Sequence, residues 1–287
     1  MPYTVAFSFD KFLEAINLPG DHRGVANARR DYILKLLENK LHVVESFASG
    51  SIPRFTALRA KSDLDLIVAL HYGSHIRGRR PSQVLQTMRD ALADYATSLR
   101  RNGQAVTLSF KSWPNVDIVP AAQVVDNAGN ITSYEIPDMT TEKWLTSRPK
   151  AHTQNIAARA STCGETFRQI IKMVKHWNRR QSNPLESFHI EAMATQIFTS
   201  PLVDLPWDVF TFFRDARTLT STYFWYEGGF ADDYLTYDRR PAAADCLKKA
   251  EDIARTAWAA TFGGKDDHRT AINNWRSLFG QEFPAYG

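Results

Sequence analysis

Two aspartates separated by a single residue, Asp63 and Asp65, stand at the head of the apolar run Leu64-Asp65-Leu66-Ile67-Val68. In a strand, side chains two apart point to the same face, so both carboxylates share one side while Leu64 and Leu66 take the other. Carboxylates held this close repel each other, and a hard cation between them relieves the repulsion. Magnesium suits such a pair: it takes oxygen ligands, keeps waters, and binds through one or two carboxylates plus substrate phosphates. Upstream, separated from Asp63 by residues 52–62, lies Gly50-Ser51. A glycine lets the backbone approach a ligand, and a serine hydroxyl with nearby N–H groups can hold phosphate oxygens. A third acid, Asp117, lies in Asn115-Val116-Asp117-Ile118-Val119-Pro120, with apolar neighbours on both sides. That is the pattern of one polar residue on the open face of a core strand. Three acids would complete a two-metal site whose ions flank the attacking and leaving oxygens.

The elements that must position these residues follow from periodicity. Val25, Tyr32, Ile33, Leu36, Leu37 and Leu41 recur at helical spacing and predict a helix over 22–41. His42–Phe47 and Leu64–Leu70 predict strands, and Val116–Val119 a short one ended by Pro120. Residues 82–101 return to helical spacing. Val106, Leu108 and Phe110 alternate with polar residues as in a half-buried strand. Residues 121–150 read as loop with one short strand. Beyond them the pattern is helical, at 153–180, 186–199 and 241–261, with Pro201 and Pro206 marking a connection. The expectation is an α+β fold: a mixed-sheet catalytic core over 1–150 and a helical lobe over 151–287, with the active-site cleft between them. The N-terminal helix is expected to span both lobes.

The chain has 287 residues, 44% hydrophobic and 23% charged, which excludes disordered and fibrous classes. No apolar run reaches the ~18 residues of a membrane span, and the N-terminus lacks a secretory pattern. With only Cys163 and Cys246, a disulfide scaffold or zinc cluster is not expected, and a cytoplasmic location fits. A net charge of +4 favours anionic partners mildly, without the dense basic cluster of a nucleic-acid binder.

On the helix at 165–180, Phe167, Ile170, Ile171, Val174 and Trp177 form an apolar stripe. Arg168, Lys172, Lys175 and Arg179 form a basic one beside it, whose plain reading is a solvated face.

Gly50-Ser51, Asp63-x-Asp65 and Asp117 together resemble the polymerase-β-type nucleotidyltransferase superfamily. Within it the chain is similar to the bacterial relatives of cGAS and DncV, the CD-NTases of anti-phage signalling. Four features carry the narrower likeness: Thr56 five residues after Ser51, Ser62-Asp63-Leu64-Asp65-Leu66, Val116-Asp117-Ile118-Val119-Pro120-Ala121, and the helix Ile171–Asn178. Ser187-Phe188-His189-Ile190-Glu191 and Trp275–Gly280 add to it. The resemblance implies a nucleotidyltransferase that condenses NTPs into a cyclic oligonucleotide, with a dinucleotide favoured, and releases pyrophosphate. It implies that Asp63, Asp65 and Asp117 are catalytic and bind Mg²⁺, or Mn²⁺ in its place. It implies nucleotide binding by Gly50, Ser51, Thr56, Lys175 and Ser187, and a product-activated effector protein as partner. Thr162 and Thr166 are candidates to contact a base edge. His189 is expected to be packed. A monomer with no membrane or stable nucleic-acid partner is expected. The alternatives are an enzyme making linear oligonucleotides or modifying RNA or protein, and an inactive nucleotide-binding regulator.

Overall fold

The structure is a computed structural model that describes residues 3–18, 20–59, 62–95 and 99–287. The helix expected over 82–101 reaches 96–98, and the Gly50-to-Asp65 segment crosses 60–61; these lie outside the described residues. In chain order the elements are α1 (Val5–Ile16), α2 (His22–Glu38), β1 (Val43–Ser49), α3 (Ser51–Arg54), β2 (Leu64–Leu70), α4 (Pro81–Leu92), β3 (Leu99–Asn102), β4 (Ala105–Leu108), β5 (Val116–Val125), β6 (Ile131–Asp138) and β7 (Lys143–Ser147). They continue with α5 (Pro149–Cys163), α6 (Thr166–Arg180), α7 (Ser187–Ile197), α8 (Leu205–Thr220), the two-residue strands β8 (Trp225–Tyr226) and β9 (Gly229–Phe230), α9 (Arg239–Ala259) and α10 (His268–Phe279).

The chain forms two compact units. One comprises 19–55 and 61–153; the other comprises 1–18, 56–60 and 154–287. The division therefore differs from a single cut at residue 150. The N-terminal region is also two helices where one was expected: α1 belongs to the helical unit, packing on α6 and α10, and α2 to the sheet unit. Phe9, Phe12 and Leu13 of α1 are buried, and this apolar face is what places it there.

In the sheet unit the strand order is β1-β2-β5-β4-β3, with β6 pairing β5 and β7 pairing β6. Among the described residues of this unit only β2 and β5 run parallel; the other pairs are antiparallel. Leu64, Leu66, Val68 and Leu70 are at most 2% exposed, and α2 and α4 pack against the sheet. Asp65, Ile67 and Ala69 alternate with them onto the opposite face, where Ile67 and Ala69 join Ala121 and Tyr134 in a small apolar cluster. β5 runs on through Pro120 to Val125. The proline lies between the residues that pair β4 (Val116–Ile118) and those that pair β6 (Ala122 onward), so no ladder partner on that side loses a donor. Residues 121–150 hold two strands, β6 and β7. The helix expected over 82–101 ends at Leu92, and Leu99–Asn102 is strand, paired with Ala105–Leu108. Phe110 lies beyond β4.

In the helical unit, α6 buries its apolar stripe as the spacing predicts: Phe167, Ile170, Ile171, Val174 and Trp177 are at most 2% exposed. The helix expected over 153–180 is two helices, parted at Gly164, whose φ of +84° lies in the left-handed region. Of the two prolines read as a connection, Pro201 lies in the stretch between α7 and α8, whereas Pro206 opens α8. Pro206 sits in the first turn, where its missing N–H has no helical partner to lose, and Asp204 caps the Trp207 N–H.

Asp208, in that same first turn, is 7% exposed, and its Oδ2 is buried without a hydrogen-bond partner among the described residues. The helix N-terminus favours the carboxylate, but burial outweighs it and pushes the pKa up to about 6. A folded-state pKa above the unfolded one means that stability is lost as pH rises from about 4 through 6. Asp208→Asn should therefore be more stable than wild type at pH 7, with the difference shrinking at pH 4, as read by urea unfolding at the two pH values.

Candidate active site

The parallel ladder sets Asp65 directly beside Asp117. Antiparallel pairing extends this row on both sides, with Ser49 of β1 opposite Asp65 and Thr107 of β4 opposite Asp117. Four strands thus present Ser49, Asp65, Asp117 and Thr107 across the sheet. Thr107 Oγ1 donates to Asp117 Oδ1 at 2.6 Å, which orients that carboxylate. Thr107 is buried, and sequence reasoning passed over it; its signal was its place opposite Val106 and Leu108 in the alternation. The row opens on a depression of about 430 Å³, lined also by Gln104, Val119, Asp138 and Thr140.

Gly50 follows β1 directly, with φ +72° and ψ −158°, a conformation that favours glycine. A Cβ built there would lie 1.6 Å from Asp65 Oδ2. The backbone therefore closes over the Asp65 carboxylate where any side chain would collide with it. Ser51 begins the short α3 and is half-buried. Asp63 is exposed and stands one residue before β2, outside the ladder. Among the described residues no three His, Cys, Asp or Glu side chains are gathered tightly enough to hold an ion. The ladder brings two of the expected acids together; the third is not drawn into a three-acid group in this structure. The donor set is all carboxylate oxygen and fits a hard divalent cation that draws its remaining ligands from water and phosphate.

In the helical unit, Thr56 and Lys175 depart from expectation. Lys175 is 3% exposed, and its Nζ donates to Glu191 Oε1 at 3.0 Å and to the Thr56 carbonyl at 3.1 Å. Thr56 Oγ1 donates to the same Glu191 oxygen at 2.5 Å. Both residues, placed by resemblance on the nucleotide, are buried in a polar knot around Glu191, because a buried carboxylate and ammonium each require a partner. The basic stripe is likewise no solvated face. Lys172 donates to Asn17 Oδ1, and burial lowers its pKa; Arg168 is half-buried and pairs with Glu165. Ser187 is exposed in the first turn of α7 and keeps the access a phosphate contact needs. The Glu186 N–H donates to the Tyr234 hydroxyl, which also bonds His189 Nδ1. Burial pushes the His189 pKa down to about 4, so the ring is neutral and packed, as expected. Thr162 is exposed and, with Asn155, Thr195 and Tyr226, lines a depression of about 410 Å³; Thr166 is half-buried at the start of α6.

A mixed sheet that sets the second Asp of Asp-x-Asp beside a third Asp on a parallel neighbour, joined to a helical unit, is the polymerase-β-like nucleotidyltransferase fold. The CdnC protein of E. coli MS115-1, solved with ATP, superposes with a TM-score of 0.76 over 97% of this chain and 98% of its own, at 19% identity. Residues 3–159, more than half of the chain, match the Second Messenger Oligonucleotide or Dinucleotide Synthetase domain, and the chain belongs to that family. A probable cyclic nucleotide synthase of Bacillus cereus (strain VD146) is 22% identical over all of this chain and 99% of its own length. A cyclic AMP-AMP-AMP synthase of Acinetobacter sp. is 31% identical over 52% of this chain, and the match spans 43% of that relative. No helix among the described residues is long and apolar enough to cross a membrane.

Two substitutions test this geometry. Gly50→Ala should cut turnover at least a hundredfold while the protein stays folded, because its Cβ displaces Asp65; unchanged turnover with an unchanged circular dichroism spectrum would contradict the close approach. Lys175→Met should destabilise the fold by about 3 kcal/mol, since it leaves Glu191 buried without its cation. A variant with wild-type unfolding free energy would return Lys175 to a pure ligand role.

Proposed function

We propose that the protein is a metal-dependent nucleotidyltransferase that joins NTPs into a cyclic oligonucleotide, which activates an effector protein in anti-phage defence. The observation that carries the reading is the register that sets Asp65 beside Asp117 under the Gly50 backbone. Like charges held side by side in a rigid ladder are unfavourable unless a cation joins them. Asp63, Asp65 and Asp117 would hold magnesium, with manganese able to replace it, to neutralise the triphosphate and lower the pKa of the acceptor hydroxyl.

The chain's own residues do the rest. The Gly50-Ser51 backbone and hydroxyl bind phosphate oxygens. Asp117, oriented by Thr107, accepts the proton of the acceptor hydroxyl. The hydroxyl oxygen bonds to the α-phosphorus, the bond to the β-phosphate breaks, and pyrophosphate leaves. A second transfer within the linear intermediate closes the ring, and tethering its ends makes that step effectively unimolecular. Family membership and the names of the Bacillus and Acinetobacter relatives support cyclisation. A dinucleotide is the product expected from the sequence, and the Acinetobacter relative is named for a trinucleotide.

Incubation with all four NTPs and Mg²⁺ or Mn²⁺, phosphatase treatment and mass spectrometry test the proposal. The expected product resists phosphatase and has the mass of its linked nucleotides less water, which also reads ring size. Asp65→Asn and Asp117→Asn should each lower its yield at least a thousandfold. A phosphatase-sensitive ladder, or extension of an added RNA primer, would replace cyclisation with linear synthesis.

A further inference from the structure

Of the three acids, Asp63 is the one the sheet does not position, yet both peptide planes that flank its Cα are tied down. Trp113 Nε1 donates to the Ser62 carbonyl at 2.7 Å, and the Leu64 N–H donates to the Asn115 carbonyl at 2.9 Å. The first bond fixes the plane before Asp63 and the second the plane after it. With both planes fixed, φ and ψ of Asp63 follow, and so does the direction in which its side chain leaves the backbone. Both bonds come from one turn, residues 110–115.

That turn is itself built on α2. Arg29 donates to the Pro114 carbonyl at 3.0 Å, to Ser112 Oγ at 3.0 Å and to the Ser112 carbonyl at 3.5 Å. Its guanidinium also lies 3.7 Å from the centre of the Phe110 ring. Seven residues earlier on the same helix face, His22 meets the Trp113 ring edge-on, with centroids 4.7 Å apart. Inside the turn, Asn115 Oδ1 accepts the Phe110 N–H at 3.0 Å. Asp63 itself is exposed and Trp113 half-buried, while Ser62 and Pro114 in the same arrangement are buried.

We infer that Trp113 is a positioning residue for Asp63, setting through its indole N–H the carboxylate on which the third metal-ligand position depends. The inference rests on the proposed metal-binding role of the three acids. Trp113→Phe keeps an aromatic side chain beside His22 and removes the indole N–H donor together with part of the ring's bulk. Groups that orient a metal ligand typically change metal affinity ten- to a hundredfold when removed.

The test is Mn²⁺ binding followed by electron paramagnetic resonance on the full-length protein with a non-hydrolysable ATP analogue, paired with Mn²⁺-dependent pyrophosphate release. Trp113→Phe should raise the half-saturating Mn²⁺ concentration about tenfold, with turnover restored by excess Mn²⁺ and an unchanged melting temperature. Arg29→Lys, which loses the fork holding the turn, should shift the half-saturation in the same direction if Trp113→Phe does not fold. Wild-type Mn²⁺ affinity in Trp113→Phe while Asp63→Asn binds weakly would overturn the positioning role alone. Wild-type affinity in Asp63→Asn would overturn the metal-binding reading, and the positioning role with it.

Discussion

The site depends on one pairing, the parallel ladder between β2 and β5. Among the described residues it is the only parallel pair in a sheet otherwise antiparallel, and its register sets Asp65 beside Asp117. A slip of one residue in either strand would turn its carboxylate onto the face where Leu64, Leu66 and Ile118 are buried. The apolar partners therefore enforce the polar geometry. Burying Leu64, Leu66, Val68, Val116 and Ile118 supplies the free energy that holds the two aspartates side by side on neighbouring strands.

Around that pair the chain uses different physical means for each of the three acids. The β4 ladder brings Thr107 to Asp117, a hydroxyl that fixes a carboxylate without adding charge. Gly50 brings backbone over Asp65 at a distance no side chain permits. Asp63 sits beyond the ladder and relies on the 110–115 turn and its supports on α2. Strand register, a glycine and a braced turn place these groups through contacts within the chain itself. Positioning of this kind is what nucleotidyl transfer most needs from a protein, since little covalent chemistry falls to side chains.

The helical unit has its own constraint, the buried knot of Lys175, Glu191 and Thr56. It links α6, α7 and the short segment that follows α3 in sequence, and it accounts for residues 56–60 belonging to the helical unit while their neighbours in sequence belong to the sheet unit. An ion pair at this depth is geometrically demanding, because each partner alone would be a buried charge. The same lysine carries the family resemblance, so one side chain bears a structural load beside any contact with substrate.

The sequence by itself determined much of this protein. Asp63-Leu64-Asp65 in an apolar run, Gly50-Ser51 before it and Asp117 between valine and isoleucine are local patterns. Strand alternation and charge repulsion turn them into a site without any knowledge of the fold. The apolar stripe of α6 was legible for the same reason, since helical periodicity is local. Only tertiary structure decided the rest. Pro120 ends nothing, because the strand changes partners there; Pro206 opens a helix, because a first turn has no N–H to lose; and Leu99 lies in a strand paired to β4. Lys175 reads as an exposed basic residue until Glu191, sixteen positions on, is seen to bury it. Alternation puts Thr107 on the face opposite Val106 and Leu108 but does not show its partner, and Trp113 carries no signal of its own, because their roles lie in hydrogen bonds to residues distant in sequence. What a side chain does through its neighbours along the chain can be read from spacing; what it does through partners across space waits for the fold that brings them together.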